Sequence, residues 1–109
     1  MAKHEFGIME CSPLSGKRYD DYEPEKYHCI SVDDDYIEGI APKLIDVDFY
    51  WHSIDIPEKG LAYCGITLIP PAAIKQFIPL IESIEELSEL RCLLQKALSA
   101  NKFVIHYGL

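Results

Sequence analysis

The sequence lacks the features that mark several functional classes. Its four cysteines, Cys11, Cys29, Cys64 and Cys92, include no CxxC pair, whereas zinc sites usually need closely spaced ligands. No stretch approaches the roughly 20 apolar residues of a membrane-spanning helix. The acidic runs lack the DxDxDG pattern of a calcium loop. We therefore expect no metal, no cofactor and no insertion into a membrane.

Basic residues are also scarce, with 10 Lys and Arg against 18 Asp and Glu, which gives a formal net charge of −8. Binding to phosphates or to an anionic membrane surface needs clustered basic side chains, so nucleic-acid and membrane-surface partners are disfavoured. Solubility explains this charge most simply. An acidic surface that meets a basic protein is the alternative.

A secretory signal is not visible in the N-terminal stretch MAKHEFGIMECSP, which is charged and has no apolar run of the required length. We therefore expect a cytoplasmic protein. In that compartment the four cysteines would remain reduced thiols.

The chain of 109 residues is 49% hydrophobic and 26% charged, which suits one globular domain spanning 1–109. Segments rich in β-branched and aromatic residues predict strands at 27–32, 47–54, 61–69 and 102–107. A short helix is predicted after the aspartates at 33–35, and a helix pair between 71 and 101, with a capping box at Ser83. Residues 1–26 are predicted to form an arm or an irregular segment outside an α+β core at 27–109, with either a short strand or an extended arm at 5–11.

This order of elements matches the ferredoxin-like βαββαβ arrangement, a four-stranded antiparallel sheet with helices on one face and here an extra N-terminal arm. Its crossovers place the first and third strands side by side in the centre. The segments 47–54 and 61–69 are predicted to form a hairpin.

Side chains alternate between the two faces of a strand. Applied to the predicted strands, this alternation places an aromatic and polar set on the face away from the helices. The set comprises Tyr27, Cys29, Tyr50, His52, Tyr63 and His106. Tyrosine and histidine are common on half-buried surfaces that bind a partner. We therefore interpret this open face as a binding surface for a protein partner or for a second copy of the chain.

Two other interpretations use the same face. Cys29, His52 and His106 carry ligand atoms that suit a metal, but the predicted strand order separates the two histidines by about 14 Å, too far for one ion. Cys29 and His106 lie on strands predicted to be neighbours and could act as nucleophile and base. No complete catalytic set is visible, so the sequence favours a protein that is not an enzyme.

The chain resembles short bacterial proteins of unknown function through the stretches YHCISVDDDYIEG, GLAYCGITLIPP and KFVIHYG. This resemblance implies a compact cytosolic domain and carries no activity with it. From the residues themselves we expect a small acidic module that binds proteins or regulates them, as a dimer or within a complex. The alternative is a small-molecule or metal-binding protein, or a small enzyme, that uses the open sheet face.

Overall fold

The computed structural model describes residues 2–109, which contain six strands and three α-helices. In chain order these are β1 (Lys3–Ile8), β2 (Ile30–Asp33), α1 (Asp34–Ile40), β3 (Asp48–Trp51), β4 (Pro57–Lys59), β5 (Ile66–Ile69), α2 (Pro71–Ile81), α3 (Ser88–Ser99) and β6 (Val104–Tyr107). Short 3-10 turns lie at Ala41–Leu44 and Glu85–Leu87. No helix in the described residues is long and apolar enough to cross a membrane.

All six strands form one antiparallel sheet in the order β2-β1-β6-β5-β3-β4. The α+β class and the antiparallel pairing of β3 with β5 are confirmed. The four-stranded ferredoxin-like arrangement is wrong, because β2 lies at one edge instead of beside β5 in the centre. β4 adds a further strand at the opposite edge.

β1 lies inside the sheet between β2 and β6, and not in an N-terminal arm. In its sequence KHEFGI, His4 and Phe6 point to the same side and are both fully buried. A histidine at a core position hides the apolar alternation by which a strand is recognised. This explains why the sequence left a short strand or an arm open at 5–11 and placed it outside the core, where the structure has a central strand.

The first core lies between one sheet face and the helices. Its largest fully buried side chains include Phe6, Phe49, Phe77, Ile37, Leu44 and Ile74. α1 begins directly after Asp33, as predicted, and α2 continues through Pro79 to Ile81. The predicted capping box at Ser83 does not form, because a 3-10 turn follows and α3 begins only at Ser88.

α3 ends as its sequence predicts. Asn101 takes the left-handed conformation, with φ of 55°. Its amide donates to the Leu98 carbonyl at 3.0 Å, and the Lys102 amide donates to the Ala97 carbonyl at 2.9 Å. These two bonds form a Schellman cap, which satisfies carbonyls at the helix end and directs the chain into β6.

The second sheet face is covered by residues 9–29. Side chains from this segment pack with the sheet in a second core, which comprises Met9, Tyr27, Ile66, Leu68, Ile105 and Tyr107, with Tyr19, Cys29 and Tyr50 packed against it. The Tyr19 amide donates to the His52 carbonyl at 2.6 Å, and the Glu23 amide donates to the Tyr107 hydroxyl at 3.2 Å. The face that the sequence predicted to be open is therefore largely covered by the chain itself.

Gly7 allows residues 27–29 to pack closely against β1. A Cβ atom there would lie 2.6 Å from the Tyr27 Cβ and 2.7 Å from the Cys29 Sγ. We expect Gly7→Ala to lower the free energy of unfolding by about 1–3 kcal/mol, because the covering segment must shift. Urea denaturation measures this change.

Gly39 in α1 provides the matched control, since a Cβ atom at this position would meet nothing within 4 Å. Gly39→Ala should raise stability by about 0.5–1 kcal/mol through its effect on backbone entropy. If Gly7→Ala were as stable as the wild type, residues 27–29 would not pack on β1 as described.

Candidate functional site

The six residues predicted to share one open face lie in four different environments. Tyr27, Cys29 and Tyr50 belong to the second core, beneath or within the covering segment. His52 follows β3 at the edge of that layer, and Tyr63 lies in the loop before β5 and packs against the first core. His106 is fully buried. The six residues therefore do not form one continuous exposed surface.

His106 requires the clearest correction. On β6, Ile105 and Tyr107 belong to the second core, so His106 faces the helices together with Val104. The prediction placed it on the opposite face from the helices. Cys29 and His106 consequently do not meet, because β1 separates their strands and the two side chains lie on opposite faces. His52 and His106 are also divided between the two sides of the sheet.

His106 instead belongs to a buried polar chain at one end of the sheet. Its Nε2 lies 2.8 Å from the Nδ1 of His4, and its Nδ1 lies 3.1 Å from the Thr67 Oγ1. The Nε2 of His4 lies 2.9 Å from Asp34, whose carboxylate also accepts the Tyr63 hydroxyl. The chain therefore links β1, β6, β5 and the start of α1. We call Asp34, His4, His106 and Thr67 the histidine relay.

The relay has one consistent set of protons with both imidazoles neutral. The Asp34 carboxylate can only accept, so His4 donates through Nε2 and accepts at Nδ1 from His106. His106 then accepts at Nδ1 from the Thr67 hydroxyl, whose oxygen accepts the Ala62 amide at 2.8 Å. Every ring nitrogen is thus satisfied without burying an imidazolium.

The surroundings of the relay keep the His106 imidazole neutral. Burial, and to a lesser extent His4, lowers the pKa of His106 to about 3. Hydrogen bonds from Tyr63 and then His4 lower the pKa of Asp34, and the same Asp34 bond raises the pKa of Tyr63 to about 12. Both histidines are inaccessible to solvent, so no substrate can reach their nitrogens. The relay therefore acts as a structural element that fixes the end of the sheet.

A second polar group lies at the surface, where Asp20, His52 and Cys64 line a cavity of about 300 Å³. The Nδ1 of His52 lies 2.8 Å from the Asp20 Oδ1. Its N–H does not point along this line, so the contact is electrostatic and not a directed hydrogen bond. Hydrogen bonding to Arg18, followed by the contact with His52, lowers the pKa of Asp20. We call these three residues the surface triad.

His52 is held in an uncommon backbone conformation, with φ of 64°. Its amide donates to the Ile66 carbonyl at 3.0 Å, while its carbonyl accepts the Tyr19 amide. Non-glycine residues rarely adopt a positive φ, and those that do often lie at functional sites. The two backbone bonds hold the imidazole at the cavity edge.

A third feature is the acidic start of α1 beside the edge strand β2. Oxygen atoms of Asp34, Asp35 and Glu38 all lie within 4.8 Å of one another. Across the part of the chain that the structure describes, they form the one group of three or more potential metal ligands. This group contains none of the three residues, Cys29, His52 and His106, that the sequence suggested as metal ligands. We call Asp34, Asp35 and Glu38 the acidic cluster.

Sequence reasoning missed His4, Thr67, Asp34 and Asp20 as members of these groups. Thr67 had one local signal, since it is a polar residue within the apolar run ITLI. His4 had none, because its partner His106 lies 102 residues away. The contacts of Asp34 and Asp20 depend on tertiary pairings that no local pattern records.

No protein-family model, curated protein or solved structure significantly matches the chain. Function must therefore be inferred from the chemistry of the residues themselves.

Proposed function

We propose that this protein is a small cytoplasmic protein-binding module that captures an extended basic segment of a partner along β2. The observation that carries this proposal is the position of β2. It is an edge strand of the sheet, and the acidic cluster follows directly after it. Adding a strand to a free sheet edge is a common mode of peptide recognition.

The free edge of β2 offers unpaired backbone groups. The Asp34 amide donates to the Ala2 carbonyl at 3.0 Å, and Val32 lies opposite His4. Because backbone groups alternate in direction along a strand, those of Ser31 and Asp33 point away from β1. Ser31 is exposed. An incoming strand would find donors and acceptors at these two residues.

The opposite edge is less suited to this role. β4 has only three residues, Pro57–Lys59, all exposed. A proline with charged neighbours on a short edge strand is a common defence against strand addition. The two edges therefore differ in a way that favours β2.

The charge next to β2 indicates the chemistry of the partner. Asp35 and Glu38 are exposed, and Asp33 is half-buried beside them. Carboxylates this close repel one another, and lysine or arginine side chains would relieve the repulsion. Two copies of this chain would instead bring like charges together, since each carries −8. A basic partner is favoured over self-association for this reason.

Isothermal titration calorimetry with a short peptide of alternating lysine and valine tests the proposal. We expect saturable binding that weakens as salt is added. Ser31→Pro should reduce affinity about tenfold, because it removes an outward N–H and blocks strand addition without breaking the β1 ladder. Asp35→Asn with Glu38→Gln should reduce it severalfold.

A peptide of equal charge with proline in place of valine controls for simple electrostatic attraction, because it cannot pair as a strand. Equal affinity for both peptides, or unchanged affinity in a stably folded Ser31→Pro variant, would contradict strand addition. A concentration-dependent dimer with no peptide binding would indicate self-association instead. Loss of binding on adding Mg²⁺ or Ca²⁺ would show that the acidic cluster takes a metal ion in place of a basic side chain.

A further inference from the structure

The geometry points to a second activity at the surface triad: Cys64 is a nucleophile that attacks small esters or thioesters, His52 is its base, and Asp20 is the positioning residue. This activity does not depend on the peptide-binding proposal, since the acidic cluster and the surface triad share no residue. Two observations carry it: the imidazole that lies between Asp20 and Gly65, and the cavity that His52 and Asp20 share with Cys64.

Gly65 brings the imidazole close to the thiol. A side chain at position 65 would begin 3.0 Å from the His52 Nε2, so the ring lies directly over this glycine. Since neighbouring Cα atoms are about 3.8 Å apart, the Cys64 Cα lies within about 8 Å of that nitrogen. A cysteine side chain and one bridging water can span such a distance and carry the thiol proton to the imidazole.

The two ring nitrogens of His52 have different surroundings. Nδ1 lies against the Asp20 carboxylate, which favours the tautomer that carries its proton on Nδ1. Nε2 is then left as the acceptor toward Gly65 and the cavity. A carboxylate beside one ring nitrogen, with a thiol in the same cavity, is the set of groups that an activated nucleophile uses. Alignment of the Asp20 contact can improve on substrate binding, as catalytic hydrogen bonds often do.

The other cysteines lack a neighbouring histidine that contacts a carboxylate. Cys11 and Cys92 are exposed, but neither lines the cavity that holds His52. Cys29 is half-buried, and burial raises the pKa of its thiol to about 12. Three exposed thiols of one chain can therefore be compared directly. Cys92 shares a cavity with His28, Glu10 and Glu89, but among the described residues only Cys64 shares one with a histidine that contacts a carboxylate.

The proposed reaction is a balanced acyl transfer to water. His52 takes the thiol proton as the Cys64 sulfur forms a bond to the acyl carbon. The bond from that carbon to the leaving oxygen or sulfur then breaks, and the leaving group departs with the proton from His52. Water, losing a proton to His52, next cleaves the S-acyl bond to release a carboxylic acid and restore the thiol.

The Cys64 amide can support the oxyanion, since it forms no backbone hydrogen bond within residues 2–109. The cavity of about 300 Å³ limits the acyl group to a small one, and Asp20 at its wall disfavours anionic substrates. Neutral or cationic esters and thioesters are the expected class.

Acylation by p-nitrophenyl acetate and by acetylthiocholine tests this activity, with peptide mapping by mass spectrometry to locate the acetyl group. We expect a burst of p-nitrophenol and acetylation concentrated on Cys64. His52→Asn should slow acylation of Cys64 about 100-fold or more, and asparagine tolerates the positive φ at this position. Asp20→Asn should slow it and also shift the pH dependence of the rate, which a merely structural role would not do.

Cys92→Ser is the matched control and should leave the burst unchanged, whereas Cys64→Ser should abolish it. Equal acetylation rates at Cys11, Cys64 and Cys92 would overturn the proposal, because Cys64 would then be an ordinary exposed thiol. An unchanged Cys64 rate in a folded His52→Asn variant would overturn it as well. Neither result would affect the peptide-binding proposal, whose variants lie at β2 and α1.

Discussion

His106→Leu is expected to lower the free energy of unfolding by about 2–4 kcal/mol. Leucine fills a similar volume, so the main cost is the loss of two hydrogen-bond partners inside the protein. The His4 Nδ1 and the Thr67 hydroxyl, now 2.8 and 3.1 Å from His106 nitrogens, would both remain buried without their partner. Each unsatisfied buried polar group costs about 1–3 kcal/mol.

Urea denaturation gives the value, and His28→Asn is the control. His28 is also a histidine, but it is exposed and has φ of 51°, which asparagine tolerates. Its replacement should change stability by no more than about 0.5 kcal/mol. A loss below about 0.5 kcal/mol for His106→Leu would show that the histidine relay does not stabilise the fold.

A double-mutant cycle with His4→Leu isolates the contact between the two rings. Once His106 is gone, His4 has already lost one partner, so the second replacement should cost less than it does alone. We expect a coupling free energy of about 1–3 kcal/mol. Simple additivity would mean that the two imidazoles do not interact.

The second large expected effect is a loss of stability in acid that begins well above the range where carboxylates titrate. The pKa of His106 is lowered from 6.5 to about 3 in the folded protein. Between these values the unfolded chain binds a proton that the folded chain excludes, so stability falls as pH decreases. One such proton corresponds to about 1.4 kcal/mol per pH unit, or about 2–3 kcal/mol by pH 4.5.

Asp34 adds to this effect at lower pH. Its pKa is lowered in the folded protein, so its contribution is present above 3.8 and disappears as pH falls through its folded value. Urea denaturation from pH 7.5 to 4.5 measures how the free energy of unfolding changes with pH. His106→Leu should reduce this slope by up to about 1.4 kcal/mol per pH unit, which is the contribution of one proton. Nitrogen-15 NMR of the His106 ring should show no titration in this range. A ring that protonates near pH 6 in the folded protein would contradict the prediction.

The elements of the fold were more predictable than their arrangement. The segments that became β2, β3, β5 and β6 were recognised because they are rich in β-branched and aromatic residues. Asn101 was recognised because few residues other than glycine tolerate the conformation that ends α3. These signals are local, so a single sequence contains them.

The assignment of faces failed for a physical reason. Alternation divides Ile66 and Leu68 from Thr67, but it does not say which set meets the helices. Residues 9–29 cover the second face, so both faces of the sheet are buried and both can carry apolar residues. Thr67 and His106 are polar yet face the helices, because each satisfies the other. Pairing over such a distance is invisible to a pattern that considers one strand at a time.

The candidate sites were hard to predict for the same reason, because they depend on contacts between distant segments of the chain. His52 and Cys64 attracted attention as residue types, and so did the aspartates before α1. Their partners did not, because Asp20 reaches His52 only when the covering segment folds back on the sheet. Likewise, β2 became an edge strand only because β1, predicted as an arm, took the position inside it.

Chemical-shift mapping tests most directly whether β2 is the binding surface. Nitrogen-15-labelled protein would be titrated with the lysine–valine peptide and followed through its backbone amides. We predict that the largest changes occur at Ser31 and Asp33, with smaller ones through α1, and that in Ser31→Pro the changes at Asp33 and α1 require about tenfold more peptide. Changes centred on residues 9–29 and Tyr50, or no changes at saturating peptide, would contradict the β2 edge as the site of binding.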